Sequence, residues 1–528
     1  MSTTAPHKQP KITYSAVGGN MDEIHAAFDD ALASVRARLG ERHHPFIEGE
    51  AAPGEGPPFT TRSPIDQRVT IGEFSTASLG QIEAAVFAAR RAQRAWGAMP
   101  WAERLAVMRR AAETIRRRRY ELAAVMSVEV GKNRMESLGD AEESADLIDY
   151  YADQMEANHG YARPLGQLSP NERTQDILRP YGVFVVIAPF NFPLALSTGM
   201  SSAALMAGNC VVYKPSVQAP LTGVKLASVY AEAGIPPGVF NLLLGSGERV
   251  GEPLIQHPGV DGVAFTGSKD VGMRLMREFG AGGRYPRPIL GELGGKNAAI
   301  VTHSADLDMA AEGIMRSAFG LQGQKCSACS RAYVDERVAP AFLELLLAKT
   351  KALRIGDPTE RDVYLGPVIS EHAVHKYEEA AAAATQSGSL LAGGERLAQP
   401  PLDQGFYVAP AIARLPMDHE LFARELFLPF LSLGVTKSFD ESLAAANRSD
   451  LGLTGGLFSN DEHEIEAFFD RVEAGALYVN RRTGATTGAW PGVNSFCGWK
   501  GSGITGKGGC GPYYVAQFMR EQSRTRMM

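Results

Sequence analysis

The chain predicts an α/β protein whose centre is a parallel sheet covered by helices on both faces, and three observations carry that reading. Beyond Gly182, short apolar runs alternate with helical segments: strand 183–188, helix from Leu194, strand 211–213, helix from Leu221, strand 240–244, helix from Glu248, strand 263–265, helix from Asp270. Strands in such a rhythm return in the same direction through helical crossovers, which builds parallel sheets. A length of 528 residues exceeds what one hydrophobic core organises, so at least two domains are expected. A composition of 45% hydrophobic and 21% charged residues is that of an ordinary globular protein.

Taken in order, Ile24, Phe28, Leu32, Val35 and Leu39 recur on one helical face and predict an amphipathic N-terminal helix. Residues 54–64, rich in Pro and Gly, read as loop. A helical region starts at Ser78, where Ser78-x-x-Gln81 makes a capping box, and restarts at Pro100 as a first-turn proline. Arg116-Arg117-Arg118-Arg119 inside it reads as a solvated face. Residues 161–181 suit a hairpin, and residues 513–523, with Val515, Phe518 and Met519, a closing strand that joins it. After Cys326, further helices and strands to about Leu477 predict a second α/β domain.

Charge and cysteine usage narrow the function. The 53 basic and 59 acidic residues give a formal charge of −6 with no strongly basic region, so nucleic acid is not an expected partner. Five cysteines, at 210, 326, 329, 497 and 510, are too few and scattered for a disulfide framework, which points to a reducing, cytoplasmic setting. Cys326-x-x-Cys329 lacks the second pair that four-ligand zinc needs, and no metal site is expected. Residues 1–10 contain no apolar core for a signal peptide. The most apolar stretch, 183–212, is interrupted by Pro189, Asn191 and Pro193, and no membrane span is expected.

Two stretches carry chemistry. In Gly320-Leu321-Gln322-Gly323-Gln324-Lys325-Cys326-Ser327-Ala328-Cys329-Ser330-Arg331 the first cysteine stands beside Lys325 and near Arg331. Electropositive, partly open surroundings of that kind lower a thiol pKa and make a nucleophile, although alone a buried structural thiol is the commoner reading. Upstream, Gly291-Glu292-Leu293-Gly294-Gly295-Lys296-Asn297 sets a carboxylate among glycines, where no bulky neighbour blocks water or substrate from a general base. Ligands of a parallel sheet bind beyond its strand C-termini. Candidate positions are therefore 189–191, 214–216, 245–247 and 266–268. The glycines from Gly245 to Gly251 are spaced one residue too widely for the dinucleotide fingerprint, whereas Thr266-Gly267-Ser268 leads into a helix whose free N–H groups can hold a phosphate.

The pair of motifs at 291–297 and 323–326 resembles the aldehyde dehydrogenase superfamily, and the likeness runs from about Gly18 to the C-terminal segment. The resemblance implies a Rossmann-type cofactor domain, a second α/β catalytic domain and a β-strand oligomerisation arm. The implied division is N-terminal helices with the first part of the cofactor domain at 1–157, a hairpin at 158–181, the Rossmann-type domain at 182–291, the catalytic domain at 292–504 and a C-terminal strand at 505–528. It implies Cys326 as nucleophile, Glu292 as base and Asn191, in Pro189-Phe190-Asn191-Phe192-Pro193, as oxyanion donor. It further implies NAD held by Ala188, Pro189, Phe190, Lys214, Ser216, Gly245, Gly247, Thr266, Gly267, Ser268, Leu293, Glu425 and Phe427, with a homo-dimer or higher assembly. Val217 stands where many NAD-preferring members carry a glutamate that rejects a 2′-phosphate, so NADP is not excluded. Leu428 replaces a family glycine, and Ser495-Phe496-Cys497-Gly498 replaces the usual Pro-Phe-Gly-Gly.

Arg316-Ser317-Ala318-Phe319 and the residues around Cys326 look most like the branch that oxidises glutamate γ-semialdehyde, the open form of 1-pyrroline-5-carboxylate. That likeness places Phe192, Ser327, Gly484, Ala485 and Phe496 around the substrate, with loop N–H groups suited to a carboxylate. Trp490, in a longer loop at 486–493, supports the alternative of an apolar or aromatic aldehyde. A thioester hydrolase on this scaffold would not need Lys214, Ser268 and Glu425, and a non-catalytic binding protein would not need Cys326, Glu292 and Asn191 together. The Cys326-x-x-Cys329 spacing also raises the expectation that oxidants join the two thiols.

Overall fold

The computed structural model describes residues 13–14, 20–484 and 490–528. Its first large sheet has the strand order Ile289–Glu292, Gly262–Thr266, Val183–Ile187, Cys210–Lys214, Phe240–Leu242, Phe46–Ile47, Glu50–Ala51. The first five run parallel. They are apolar and mostly buried on both faces, as parallel strands between helices must be. From Val183–Ile187 the chain adds two strands on one side and then two on the other, so a crevice opens where the order reverses, at the strand C-termini.

The N-terminal helix is Met21–Arg36, with Ile24, Phe28, Leu32 and Val35 buried and the Asn20 side chain accepting the Asp22 N–H. Part of the stretch expected as loop is instead the strand Pro58–Arg62, paired antiparallel with Thr70–Ser75. Its proline stands at the first position, where no ladder N–H is required, and its threonines hid the strand's alternation. The Ser78 capping box forms as expected. Pro100 is the N-cap of Trp101–Arg117 and so precedes the first turn. The arginine run is only partly a solvated face: Arg116 pairs with Asp146 and Asp149, and Arg119 is buried against Glu142 at 3.3 Å.

The second sheet has the order Ser389–Ala392, Ala411–Arg414, Phe430–Thr436, Cys329–Asp335, Asn297–Val301, Thr454–Phe458, Ala476–Val479, with only the first strand antiparallel. A separate apolar core covers each of its faces. A three-stranded arm joins Ala162–Pro164, Glu172–Pro180 and Met519–Met527, the last two in continuous register from Met519 opposite Pro180 to Met527 opposite Glu172. The closing strand begins later than the sequence suggested, because Val515–Phe518 is a 3-10 turn whose Val515 and Phe518 are buried in the main core. Among the described residues no helix is long and apolar enough to cross a membrane.

Candidate active site

The helix Leu307–Phe319 delivers the chain into a tight loop where Leu321, Gln322 and Gly323 have φ of 48°, 54° and 66°. Left-handed backbone at a non-glycine residue costs roughly 1–2 kcal/mol, so the surroundings must hold it. They do: the Gln324 Oε1 accepts the Ile369 N–H (2.9 Å), and the Asn297 Nδ2 donates to the carbonyls of Cys326 (2.7 Å) and Ala328 (2.9 Å). A Cβ on Gly295 would lie 2.2 Å from the Cys326 carbonyl oxygen, so only glycine allows this approach. The two sequence motifs therefore clasp one another directly.

The electropositive setting expected for Cys326 is not formed. Lys325 turns away to pair with Glu136 at 2.6 Å, and the Arg331 guanidinium donates to the carbonyls of Ala445 and Ala446. Burial, followed by the nearby Glu292 and Glu425 carboxylates, pushes the Cys326 thiol up to about 12. Glu292 ends the strand Ile289–Glu292, where its carbonyl accepts the Gly267 N–H (3.1 Å) and its Oε1 accepts the Gly509 N–H (2.7 Å). Burial raises its pKa from 4.5 to about 7, against the pull of the Gly509 N–H. A carboxylate poised near neutrality is suited to general-base work.

An open cleft brings together Cys326, Glu292, Ser327, Phe192 and Phe496. The rest of its wall is Glu143, Leu147, Tyr151, Ala195, Leu196, Gly199, Met200, Gly509, Cys510 and Tyr514. Asn191 is buried immediately before Phe192, and no side-chain hydrogen bond ties it down among the described residues. Gly484 is not in the wall: its N–H donates to the Arg481 carbonyl (2.7 Å) and it packs on Gly313 and Ser317. Ala485 lies outside the described residues. Trp490 is also away from the wall, its indole N–H donating to Asp146 (2.9 Å).

The sheet crevice presents the second group of residues. Lys214 is buried at the end of Cys210–Lys214, its Nζ donating to the carbonyls of Pro215 (2.6 Å) and Gly245 (3.2 Å), and burial lowers it to about 8. A third proton remains for a ligand hydroxyl. The Ser216 hydroxyl accepts the Gln218 N–H, and Val217 is exposed. At Gly247 an added Cβ would meet nothing within 4 Å, so the backbone lies open to an approaching group. Thr266 ends its strand, Gly267 follows, and Ser268 caps Lys269–Leu275. The Ala188 N–H donates to the Lys214 carbonyl, and beyond Pro189 the Phe190 ring meets Phe427 edge-on at 6.0 Å. The Glu425 Oε1 accepts the Gly295 N–H (2.9 Å), and Leu293 donates to the Ser502 carbonyl (2.9 Å). An open glycine, a capped helix start and a lysine with a spare proton fit a dinucleotide's phosphates and ribose.

Residues 52–523 match the aldehyde dehydrogenase family. The chain belongs to the aldehyde dehydrogenase family. It is 36% identical over 527 residues to 1-pyrroline-5-carboxylate dehydrogenase 1 of Halalkalibacterium halodurans, covering 99% of each chain. It is 36% identical over 528 residues to 1-pyrroline-5-carboxylate dehydrogenase 2 of Bacillus subtilis, covering 99% of this chain and 100% of that one. Among solved structures, a Thermus 1-pyrroline-5-carboxylate dehydrogenase with bound NAD superposes with a TM-score of 0.92 at 34% identity over the whole of both chains. A 3,6-anhydro-L-galactose dehydrogenase superposes with a TM-score of 0.86 at 30% identity, covering 92% of this chain and 99% of that one.

Within this aldehyde dehydrogenase, sequence reasoning missed Glu143, Tyr151 and Cys510 in the cleft wall. Glu143 looks like any helix carboxylate, and the available signal was that Arg134–Ala157 lacks a continuous polar face. Cys510 has φ of 61° and donates its N–H to the Tyr151 hydroxyl (3.2 Å). Cys329 is buried in a core with its thiol against the Arg331 carbonyl, and Cys497 contacts the Gly475 carbonyl; neither is in the cleft wall.

Proposed function

We propose that this aldehyde dehydrogenase uses NAD to oxidise L-glutamate γ-semialdehyde, the open form of 1-pyrroline-5-carboxylate, to L-glutamate in proline catabolism. The observation that carries the substrate is similarity at 36% identity, over 99% of both chains, to a protein named for that reaction. A second carboxyl in the cleft, Glu143, agrees with it, since the substrate's ammonium group offers that carboxyl a partner which a simple aliphatic aldehyde lacks.

In this reading, Cys326 gives its proton to solvent and the thiolate sulfur bonds to the aldehyde carbon. The negative oxygen of the thiohemiacetal is met by the Asn191 amide, a donor of a kind worth about 3–4 kcal/mol. Bound NAD supplies the hydride acceptor, so the carbon leaves as a thioester on Cys326. Lys214, Ser216 and Ser268 hold its adenosine and phosphate end, and Glu425 and Phe427 its other half. Glu292 then takes a proton from water, the hydroxyl bonds to the acyl carbon, the carbon–sulfur bond breaks, and the carboxylate departs. Ser327, Phe192 and Phe496 enclose the carbon chain. The long exposed arm Met519–Met527 on Glu172–Pro180 supports a homo-dimer or higher assembly, since an unpaired edge invites a partner strand. Five free cysteines support a reducing, cytoplasmic setting.

Steady-state rates with NAD and NADP on an aldehyde panel test the reading. Glutamate semialdehyde with NAD should give the highest kcat/KM. Equal rates with simple aliphatic aldehydes, or a higher constant with NADP, would remove the substrate or the cofactor respectively.

A further inference from the structure

Gly139 sits inside the helix Arg134–Ala157, where glycine is less stable than alanine. Its reason lies across the helix surface: a Cβ there would come 2.6 Å from the Tyr14 ring. The ring is set edge-on to Phe192 (5.7 Å, 85°) and to Trp490 (5.6 Å, 72°). From that seat the Tyr14 hydroxyl donates to the Glu143 Oε2 at 2.6 Å, one helical turn beyond Gly139. Glu143 lines the cleft, and its other oxygen, Oε1, has no hydrogen-bond partner among the described residues. Tyr14 itself is not part of the wall.

We infer that Tyr14 is a positioning residue that sets substrate selectivity: it fixes one Glu143 oxygen and so presents the other to a cationic group on the aldehyde, whose charge draws the carboxyl into its ionised form. The inference rests on the substrate reading above and adds to it a residue outside the cleft. Burial, offset only in part by the Tyr14 bond and Lys132 and reinforced by Asp140 and Asp146, leaves Glu143 at about 8, so the carboxyl is mostly protonated at neutral pH until a cation binds beside it. Without the tyrosine hydroxyl the carboxyl is held less firmly and carries its charge less readily at neutral pH.

The test compares full-length parent and Tyr14→Phe on two aldehydes that differ only in the ammonium group, glutamate semialdehyde and 5-oxopentanoate. Phenylalanine keeps the ring between Phe192 and Trp490. The ratio of their kcat/KM values should fall about tenfold in Tyr14→Phe, through KM for the amino-bearing substrate. Glu143→Gln should lower the same ratio, and adding Tyr14→Phe to it should change the ratio no further. A parent that prefers the amino-bearing aldehyde while Tyr14→Phe keeps its ratio overturns this inference alone, as does an additive effect in the double variant. A parent indifferent to the ammonium overturns the substrate reading as well.

Discussion

Lys132 and Asp140 form an ion pair, Nζ to Oδ2 at 2.6 Å, with neither side chain exposed. The other Asp140 oxygen accepts the N–H of Ala195 (2.7 Å), the first residue of Ala195–Met206. Lys132 also stands 3.7 Å from the centre of the Phe192 ring. The pair thus grips both ends of the segment 192–195, directly after Asn191. Burial pushes Lys132 down and Asp140 up from their ordinary pKa values, so each depends on the other to stay charged.

Lys132→Met is therefore expected to lose about 3–5 kcal/mol, because it strands a buried carboxylate. The double variant Lys132→Met with Asp140→Leu should recover much of that stability but not kcat, since Ala195 and Phe192 lose their anchors. Thermal unfolding and steady-state rates check both. A Lys132→Met protein with parental Tm and kcat would show that the pair positions nothing.

As the proposed base, Glu292 should give the reaction its pH dependence. With its pKa raised from 4.5 to about 7, the ionised fraction is about one half at pH 7 and about one tenth at pH 6. The rate of deacylation should fall about tenfold per pH unit below that point. Stability runs the other way: a carboxyl whose folded pKa is raised favours the fold below its unfolded value and ceases to as pH rises through 7. Glu292→Gln should consequently be more stable than the parent at pH 8, with the difference gone at pH 4. Calorimetry at the two pH values decides it, and equal differences at both would contradict the assignment.

Glu129 is a structural counterpart. Fully buried, it accepts the N–H groups of Leu221 (2.6 Å) and Thr222 (2.9 Å) and the Thr222 hydroxyl (2.6 Å), and so caps Pro220–Glu232. Glu129→Ala leaves these donors unmet and should cost about 3 kcal/mol. That helix follows Lys214-Pro215-Ser216, so KM for NAD should rise while KM for aldehyde moves little. A variant that unfolds like the parent in urea would refute the cap.

The strand–helix rhythm beyond Gly182 was legible because buried parallel strands announce themselves as short apolar runs between helices. The strand Pro58–Arg62 was not, since a proline and two threonines give no alternation to read. The site divides in the same way. Cys326 and Glu292 were readable because glycine motifs surround them, and the Asn297 and Gly295 contacts account for those motifs. The surroundings of Cys326 were misread because adjacency in sequence does not fix side-chain direction: Lys325 faces Glu136, some 190 residues earlier in the chain. Glu143 and its partner Tyr14 went unseen for the same reason, as their contact spans 129 residues and neither sits in a motif.

In the proposed reaction the acyl group passes through the sulfur of Cys326 and leaves with the help of Glu292. Glu292→Gln enzyme mixed with NAD and glutamate semialdehyde, quenched, digested and analysed by mass spectrometry decides whether it does. A stoichiometric burst of NADH and an acyl adduct on the peptide carrying Cys326 are expected. Undiminished turnover without any adduct, or an adduct on Cys510 in its place, would contradict that route.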